Sequence, residues 1–393
     1  MPARMAPSRI VTQGRSWHFM SEKPNGKRRW LNLQAASTAI ITKFLILLFG
    51  AVALRTVSDE PPAPENSFFA IWSRWDAAHY LQIAQNGYTS VGDDRYLIVF
   101  FPLYPTLIAI FQVFFRNFWL SAFLVSAFAT VALALVFREL VKLDYSEKTA
   151  QFAVLFLFIF PTSYFLHIPY TESLFLALTV GSFLSARKKM WFAAGALGAA
   201  ACLTRINGLI LIPALAFEIL EDYRQTRRFE REWLFLLMIP AGFGVYLILN
   251  YLVTGDPFMY MAYQSEHWYR YLRFPWEGIW DAARRINKPI PTEAMMTGVQ
   301  EVLFVGIGLV ATLAGWRHLR NSYRVWMAAN WLLFVSTSFV SSVPRYTLTL
   351  FPLFIMMALS ARKSWALRVL YIVWSVLFLG LFTTQFVRGW WAF

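Results

Sequence analysis

An acid, an imidazole and several aromatic rings fall within seven residues at Arg74-Trp75-Asp76-Ala77-Ala78-His79-Tyr80. On a helix starting near Ser73, Asp76, His79, Tyr80 and Ile83 share one face through i, i+3 and i+4 spacing. A carboxylate so placed can take a proton from a hydroxyl as a general base, with the imidazole as a supporting group. A plainer reading stands beside it. Ser73-x-x-Asp76 fits a loose capping box, in which the acid only satisfies backbone N–H groups. His79 alone reads more readily as a packing histidine at an interface than as a catalyst.

Further polar residues stand at breaks in apolar stretches. Glu172 lies in His167-Ile168-Pro169-Tyr170-Thr171-Glu172-Ser173. Thr171 can cap the next helix, with Glu172 favoured by the helix dipole. An acid between two membrane spans is also a functional candidate. Arg205 sits in Thr204-Arg205-Ile206-Asn207-Gly208 and Arg345 in Ser342-Val343-Pro344-Arg345-Tyr346. Either arginine can snorkel to an interface or grip a phosphate through a charge-assisted, bidentate contact. The prolines of Phe101-Pro102-Leu103-Tyr104-Pro105 deform the start of a helix and free carbonyls that need partners.

The elements that carry these residues are membrane helices. Of 393 residues, 58% are hydrophobic and 15% charged, against about a quarter charged in soluble domains. Apolar runs long enough to cross ~30 Å of hydrocarbon recur from residue 35 onward. They are continuous rather than alternating, which excludes a β-barrel. The expected fold is therefore all-α and polytopic, with about eleven spans: 35–54, 97–115, 118–137, 150–168, 171–186, 191–217, 233–253, 299–315, 325–343, 345–360 and 365–387.

Residues 1–34 carry seven Lys/Arg against Glu22 alone and read as a basic cytoplasmic arm preceding a transmembrane domain over 35–393. Ala51-Val52-Ala53 resembles a signal-peptide cleavage site. The long arm and the ~20-residue span favour an uncleaved anchor. The loop 55–96 holds six acids and three arginines, so charge asymmetry places it outside and the arm inside. Pro61, Pro62 and Pro64 stop helix continuation there. Basic loops around Arg317–Arg324 and Arg362–Arg368 come out cytoplasmic, and the aromatic-rich loop 254–298 external. Arg187, Lys188 and Lys189 conflict with strict alternation. The topology of 118–217 therefore needs a hairpin or a broken helix; strict alternation would leave the loop at Glu172 inside.

A net charge of +14 fits retained cytoplasmic Lys and Arg and gives no reason to expect nucleic acid as a partner. The single Cys202 excludes a disulfide framework. No HExxH or Cys/His zinc spacing, phosphate-loop signature or GxSxG elbow is present. No metal or cofactor is expected.

Taken in order, the blocks RWDAAHYLQIAQNGY at 74–88, FFPLYP at 100–105, PYTESLF at 169–175, LTRINGLILIP at 203–213, GDPF at 255–258 with Gln264, and PRY at 344–346 resemble the PIG-V-like mannosyltransferases. That family includes the enzyme that adds the second mannose to glycosylphosphatidylinositol anchors, and bacterial relatives. The resemblance spans nearly the whole membrane region and leaves out the arm 1–34. It implies a GT-C-type glycosyltransferase fold with the active site on the external or luminal face. It also implies a polyprenyl-phosphate-linked sugar, typically mannose, as donor, and inversion at the sugar. The acceptor is expected to be a glycolipid or glycan, and the location the bacterial plasma membrane or the endoplasmic reticulum. By the same resemblance Asp76 is the catalytic base. His79 is expected to support it, and Arg74, Tyr80, Glu172, Arg205, Asn207, Gln264, Arg345 and Tyr346 are expected to bind substrate. A transferase with another sugar or a protein acceptor, and a lipid or sugar transporter, are the competing readings.

Overall fold

The computed structural model describes residues 26–57 and 68–393. Residues 1–25 of the basic arm and the three prolines at 61, 62 and 64 lie outside these described residues. Within them the chain is helical, with one isolated bridge between Leu272 and Thr337, as the apolar runs require. The helices are α1 (Gly26–Val57), α2 (Asp76–Asn86), α3 (Leu103–Phe115), α4 (Phe118–Lys142), α5 (Glu147–Ile159), α6 (Glu172–Arg187), α7 (Trp191–Cys202), α8 (Leu211–Thr226) and α9 (Met238–Thr254). They continue with α10 (Met259–Glu266), α11 (Pro275–Arg285), α12 (Pro291–Glu293), α13 (Gln300–Gly315), α14 (Asn321–Val335), α15 (Val343–Tyr346), α16 (Pro352–Lys363) and α17 (Trp365–Val387). α1 therefore begins inside the stretch that reads as the arm.

Helix direction follows from which side chains meet at the two ends of the bundle. At one end Arg138 donates to Asn32 and Glu147, and Arg187 to Asp144. Lys189 pairs with Asp222, and Arg320 with Glu218. Arg362 donates to Ser146 and Thr149. At the other end Asp76, Glu172, Arg205 and Arg345 meet, and the Arg74 guanidinium reaches the Val387 carbonyl. Among the described residues, α1, α4, α5, α6, α7, α8, α9, α13, α14, α16 and α17 each run from one end to the other.

These eleven end-to-end helices are not the eleven segments expected as membrane spans. The run 97–115 does not traverse. The chain leaves α1 and begins α4 at the same end, where the Phe68 and Phe69 rings pack on Phe123 of α4. A 3₁₀ turn over Asp93–Val99 and α3 meet there at 107°, since Pro102 keeps the residue before it out of helix. The run 191–217, in contrast, makes two traverses. It breaks at Leu203–Arg205, where a Cβ on Gly208 would lie 2.5 Å from the Cys202 nitrogen. Only glycine permits a turn that tight. With these two changes Arg187, Lys188 and Lys189 join the other basic loops, and the conflict over 118–217 disappears.

Five helices are long and apolar enough to cross a membrane on their own, or up to seven if each bent pair counts as one span. The second bent pair joins Val343–Thr349 to α16 at 81°. α1 and α17 each have only 22% of their apolar window buried, so most of their surface would face lipid. α5, α6 and α7 span roughly 18–24 Å at 1.5 Å per residue. They are packed inside the protein, where connecting turns find protein partners instead of hydrocarbon. It is these interior turns that carry the polar groups.

Candidate active site

Asp76 opens α2 after Trp75, which has φ 55° and makes no side-chain cap. The carboxylate does not cap the helix, so the capping-box reading fails. Its Oδ2 instead accepts from Arg345 Nη1 at 2.6 Å. Arg345 Nε donates to Glu172 Oε1 at 2.5 Å, and Arg205 Nη1 donates to the same oxygen and to the Thr171 hydroxyl. Thr171 precedes α6 without a side-chain cap bond, so the capping reading of this block fails too. The result is a chain Asp76–Arg345–Glu172–Arg205 built from residues far apart in sequence.

Exposure is lowest in the middle of this chain. The Asp76 side chain is 29% exposed, Arg205 15%, Arg345 7% and Glu172 0%. The Arg345 guanidinium also lies 4.6 Å from the Tyr170 ring centroid and 4.9 Å from that of Phe165, contacts that suit a desolvated cation. The Tyr170 hydroxyl donates to the Arg74 carbonyl at 2.8 Å, tying the turn before α6 to the turn before α2. Asp76 and Glu172 are each the first residue of a helix, Arg345 lies in the single turn α15 and Arg205 in the break between α7 and α8.

Burial pushes the Asp76 carboxyl up, but the charge and hydrogen bond of Arg345, with His79 and Arg205 behind them, outweigh it and hold the group below the usual carboxylate range. Burial pulls the His79 imidazole down against the pull of Asp76. At neutral pH the pair is therefore a carboxylate and a neutral imidazole. Among the described residues no three His, Cys, Asp or Glu side chains converge as a metal-ligand set.

The remaining residues singled out in the sequence divide by what they touch. His79 lies one turn after Asp76, its ring centroid 5.1 Å from Phe100 and 5.7 Å from Trp268. Tyr80 is buried against Phe100 and Tyr104. Tyr346 stands between Arg205 and Arg270, 5.3 Å from each guanidinium. Arg74 faces the backbone of α17 and not a carboxylate. Asn207 donates to Asn330 Oδ1 on α14 at 2.8 Å; this bond packs two helices and stands outside the ion-pair chain. Gln264 is half-buried on α10, and its carbonyl accepts from the Arg270 amide.

Two residues of the site escaped the sequence reading. Arg270 donates to the Tyr346 hydroxyl at 2.7 Å and to the Ser341 carbonyl at 3.1 Å. It was hidden in an aromatic-rich loop that reads as interface anchoring. Glu301, fully buried near the start of α13, accepts from the Ser342 and Val343 amides. An acid inside an apolar run was its signal.

No protein-family model matches the chain. It is 25% identical over 230 residues to GPI mannosyltransferase 2 of Schizosaccharomyces pombe, a match covering 51% of this chain and 48% of that protein. The chain is similar to GPI mannosyltransferase 2. It is also 26% identical over 204 residues to GPI alpha-1,6-mannosyltransferase 2 of Mus musculus, covering 49% of this chain and 40% of that one. The matches thus span about half the length of these relatives or less. In three dimensions the chain matches ArnT from Cupriavidus metallidurans, solved bound to undecaprenyl phosphate, with a TM-score of 0.53 and 15% identity over 89% of this chain and 72% of ArnT. That likeness shows that the chain shares the fold of ArnT.

Proposed function

We propose that this protein is an integral-membrane glycosyltransferase that transfers mannose from a polyprenyl phosphate to a hydroxyl of a glycolipid or glycan acceptor, with inversion. The observation that carries the reading is the Asp76 carboxylate, kept ionised by Arg345 and joined through it to Glu172 and Arg205. The likeness to two mannosyltransferases supports the sugar, and the lipid phosphate held by ArnT supports the donor class.

The chemistry needs few groups. As the acceptor oxygen attacks the anomeric carbon, its proton passes to Asp76. The bond from that carbon to the phosphate oxygen breaks, and polyprenyl phosphate leaves with the bonding pair. Asp76 Oδ2 is held by Arg345, so Oδ1 is the oxygen assigned to take the proton. A departing phosphate needs its growing charge met rather than an acid, because it is already a good leaving group. The bonds to Glu172 use Nη1 of Arg205 and Nε of Arg345, and the bond to Asp76 uses Nη1 of Arg345. Nη2 of Arg345, and Nε and Nη2 of Arg205, are the donors left for the phosphate. No metal is assigned a part in this step. His79 positions the acceptor hydroxyl or the base.

Arg187, Lys188, Lys189, Arg320, Arg362 and Lys363 stand at the opposite end of the bundle. Positive loops stay cytoplasmic, which supports an external or luminal face for the site. The test uses the full chain purified into lipid nanodiscs, with radiolabelled polyprenyl-phosphate mannose and a glycolipid acceptor. Release of free polyprenyl phosphate with label on the acceptor supports the reading. Movement of unmodified donor across a liposome membrane without transfer would replace it with transport.

A further inference from the structure

Arg345 can join Asp76 to Glu172 only if the turn before it is fixed, and that turn is not self-supporting. Ser342 sits at φ 65°, a left-handed conformation that costs a non-glycine residue energy. Three charged side chains hold the backbone around it. Arg285 of α11 donates to the Val340 carbonyl at 2.7 Å, and Arg270 to the Ser341 carbonyl. Glu301 takes the next two amides, Ser342 N–H on Oε1 at 2.7 Å and Val343 N–H on Oε2 at 2.8 Å. Glu301 is fully buried. Both of its oxygens are used on backbone two or three residues from Arg345, and a carboxylate gripping two adjacent amides fixes their direction as well as their position.

We infer that Glu301 is a positioning residue for the transfer reaction: by clamping the Ser342 and Val343 amides it sets the Arg345 guanidinium between Asp76 and Glu172. This rests on the transferase reading above. It also gives a buried acid in an apolar helix a task that bulk stability does not require, since a buried charge is costly unless fully satisfied.

The test compares Glu301→Gln and Glu301→Asp in the full chain in nanodiscs. Glutamine keeps one acceptor but turns an amino group toward the second amide. Aspartate keeps the charge and is too short to span both amides. Both should remain folded and lower kcat by at least roughly tenfold, the aspartate variant less than the glutamine, with the acceptor KM little changed. A residue that only stabilised the fold would lower the folded fraction and leave kcat per folded molecule alone. If the glutamine variant does not fold, the aspartate variant decides. A kcat within about twofold of wild type in folded protein overturns the inference. Hydrogen exchange over residues 340–346 reads the clamp without any substrate. Those amides should be protected in wild type and exchange at least about tenfold faster in the variants; equal protection overturns the inference as well. Failure of the wild type to transfer any sugar would instead defeat the function reading, and the exchange result would still stand.

Discussion

Asp76→Asn separates a catalytic carboxylate from a structural one. Asparagine keeps the size of the side chain but cannot accept the proton, and loss of a general base costs about 10²–10⁴ in rate, or roughly 3–5 kcal/mol of transition-state stabilisation. The stability cost is smaller. Arg345 keeps its bond to Glu172, so the guanidinium is not left without a counter-charge. The lost bond to Asp76 is charge-assisted, worth about 1.5–3 kcal/mol when dry. Asp76 is 29% exposed, and water replaces part of it, leaving about 1–2 kcal/mol. The assay is transfer from radiolabelled donor in nanodiscs beside a thermal melt of the same sample. The expected variant is folded, melts slightly lower, binds donor with unchanged KM and has almost no turnover. Transfer at more than about a tenth of the wild-type rate lies outside the range for a lost base and would refute the assignment.

Arg345→Lys keeps a charge but loses the fork that reaches Asp76 and Glu172 together. Losing one charge-assisted bond should lower kcat/KM for donor by about 10–150-fold, and unchanged donor kinetics would remove Arg345 from the site. Because Asp76 is held below its ordinary value of 3.8, it is ionised at any pH above that, and its acid limb in a kcat/KM profile should lie under it. His79 is held below 6.5, so a limb above 6.5 that vanishes in His79→Ala would show an imidazole raised and not lowered. In a chain with Cys202 replaced by alanine, Arg116→Cys and Val91→Cys should be labelled from the side of the site and Lys188→Cys only from the opposite side. Labelling of Arg116→Cys with Lys188→Cys would restore 97–115 as a span.

The helical architecture was legible because hydropathy reports burial in lipid, and each expected run carries a helix. Direction of travel was less legible, for two local reasons. The run 97–115 has the length and apolarity of a span, yet Pro102 turns it through 107° at its start and it returns to the end it left. The run 191–217 reads as one long stretch, yet Thr204-Arg205-Ile206-Asn207-Gly208 divides it. The two errors cancel in the total, and the misplaced Arg187–Lys189 cluster was their visible trace. The positive-inside pattern was therefore a better guide to topology than the run count.

Residue types at the site were legible, but their partners were not. Sequence placed Asp76, Glu172, Arg205 and Arg345 at helix breaks, where a polar side chain can be either a cap or a functional group. The caps are ruled out only by what the oxygens touch. Glu172 accepts from two arginines on two other turns, contacts more than thirty and more than a hundred and seventy residues away in the chain that no local pattern contains. The same holds for Asn207, which the motif marked for substrate and which packs on Asn330. Two arginines, Arg205 and Arg345, meet two carboxylates, Asp76 and Glu172, in the ion-pair chain, and Arg270 stands across the Tyr346 ring from Arg205. On the transferase reading proposed above, the charge that develops on a departing phosphate falls beside guanidiniums already held in place. Glu172 accepts from both guanidiniums, so on that reading a fully buried carboxylate holds the two arginines apart and in place while their remaining N–H groups serve the donor's phosphate.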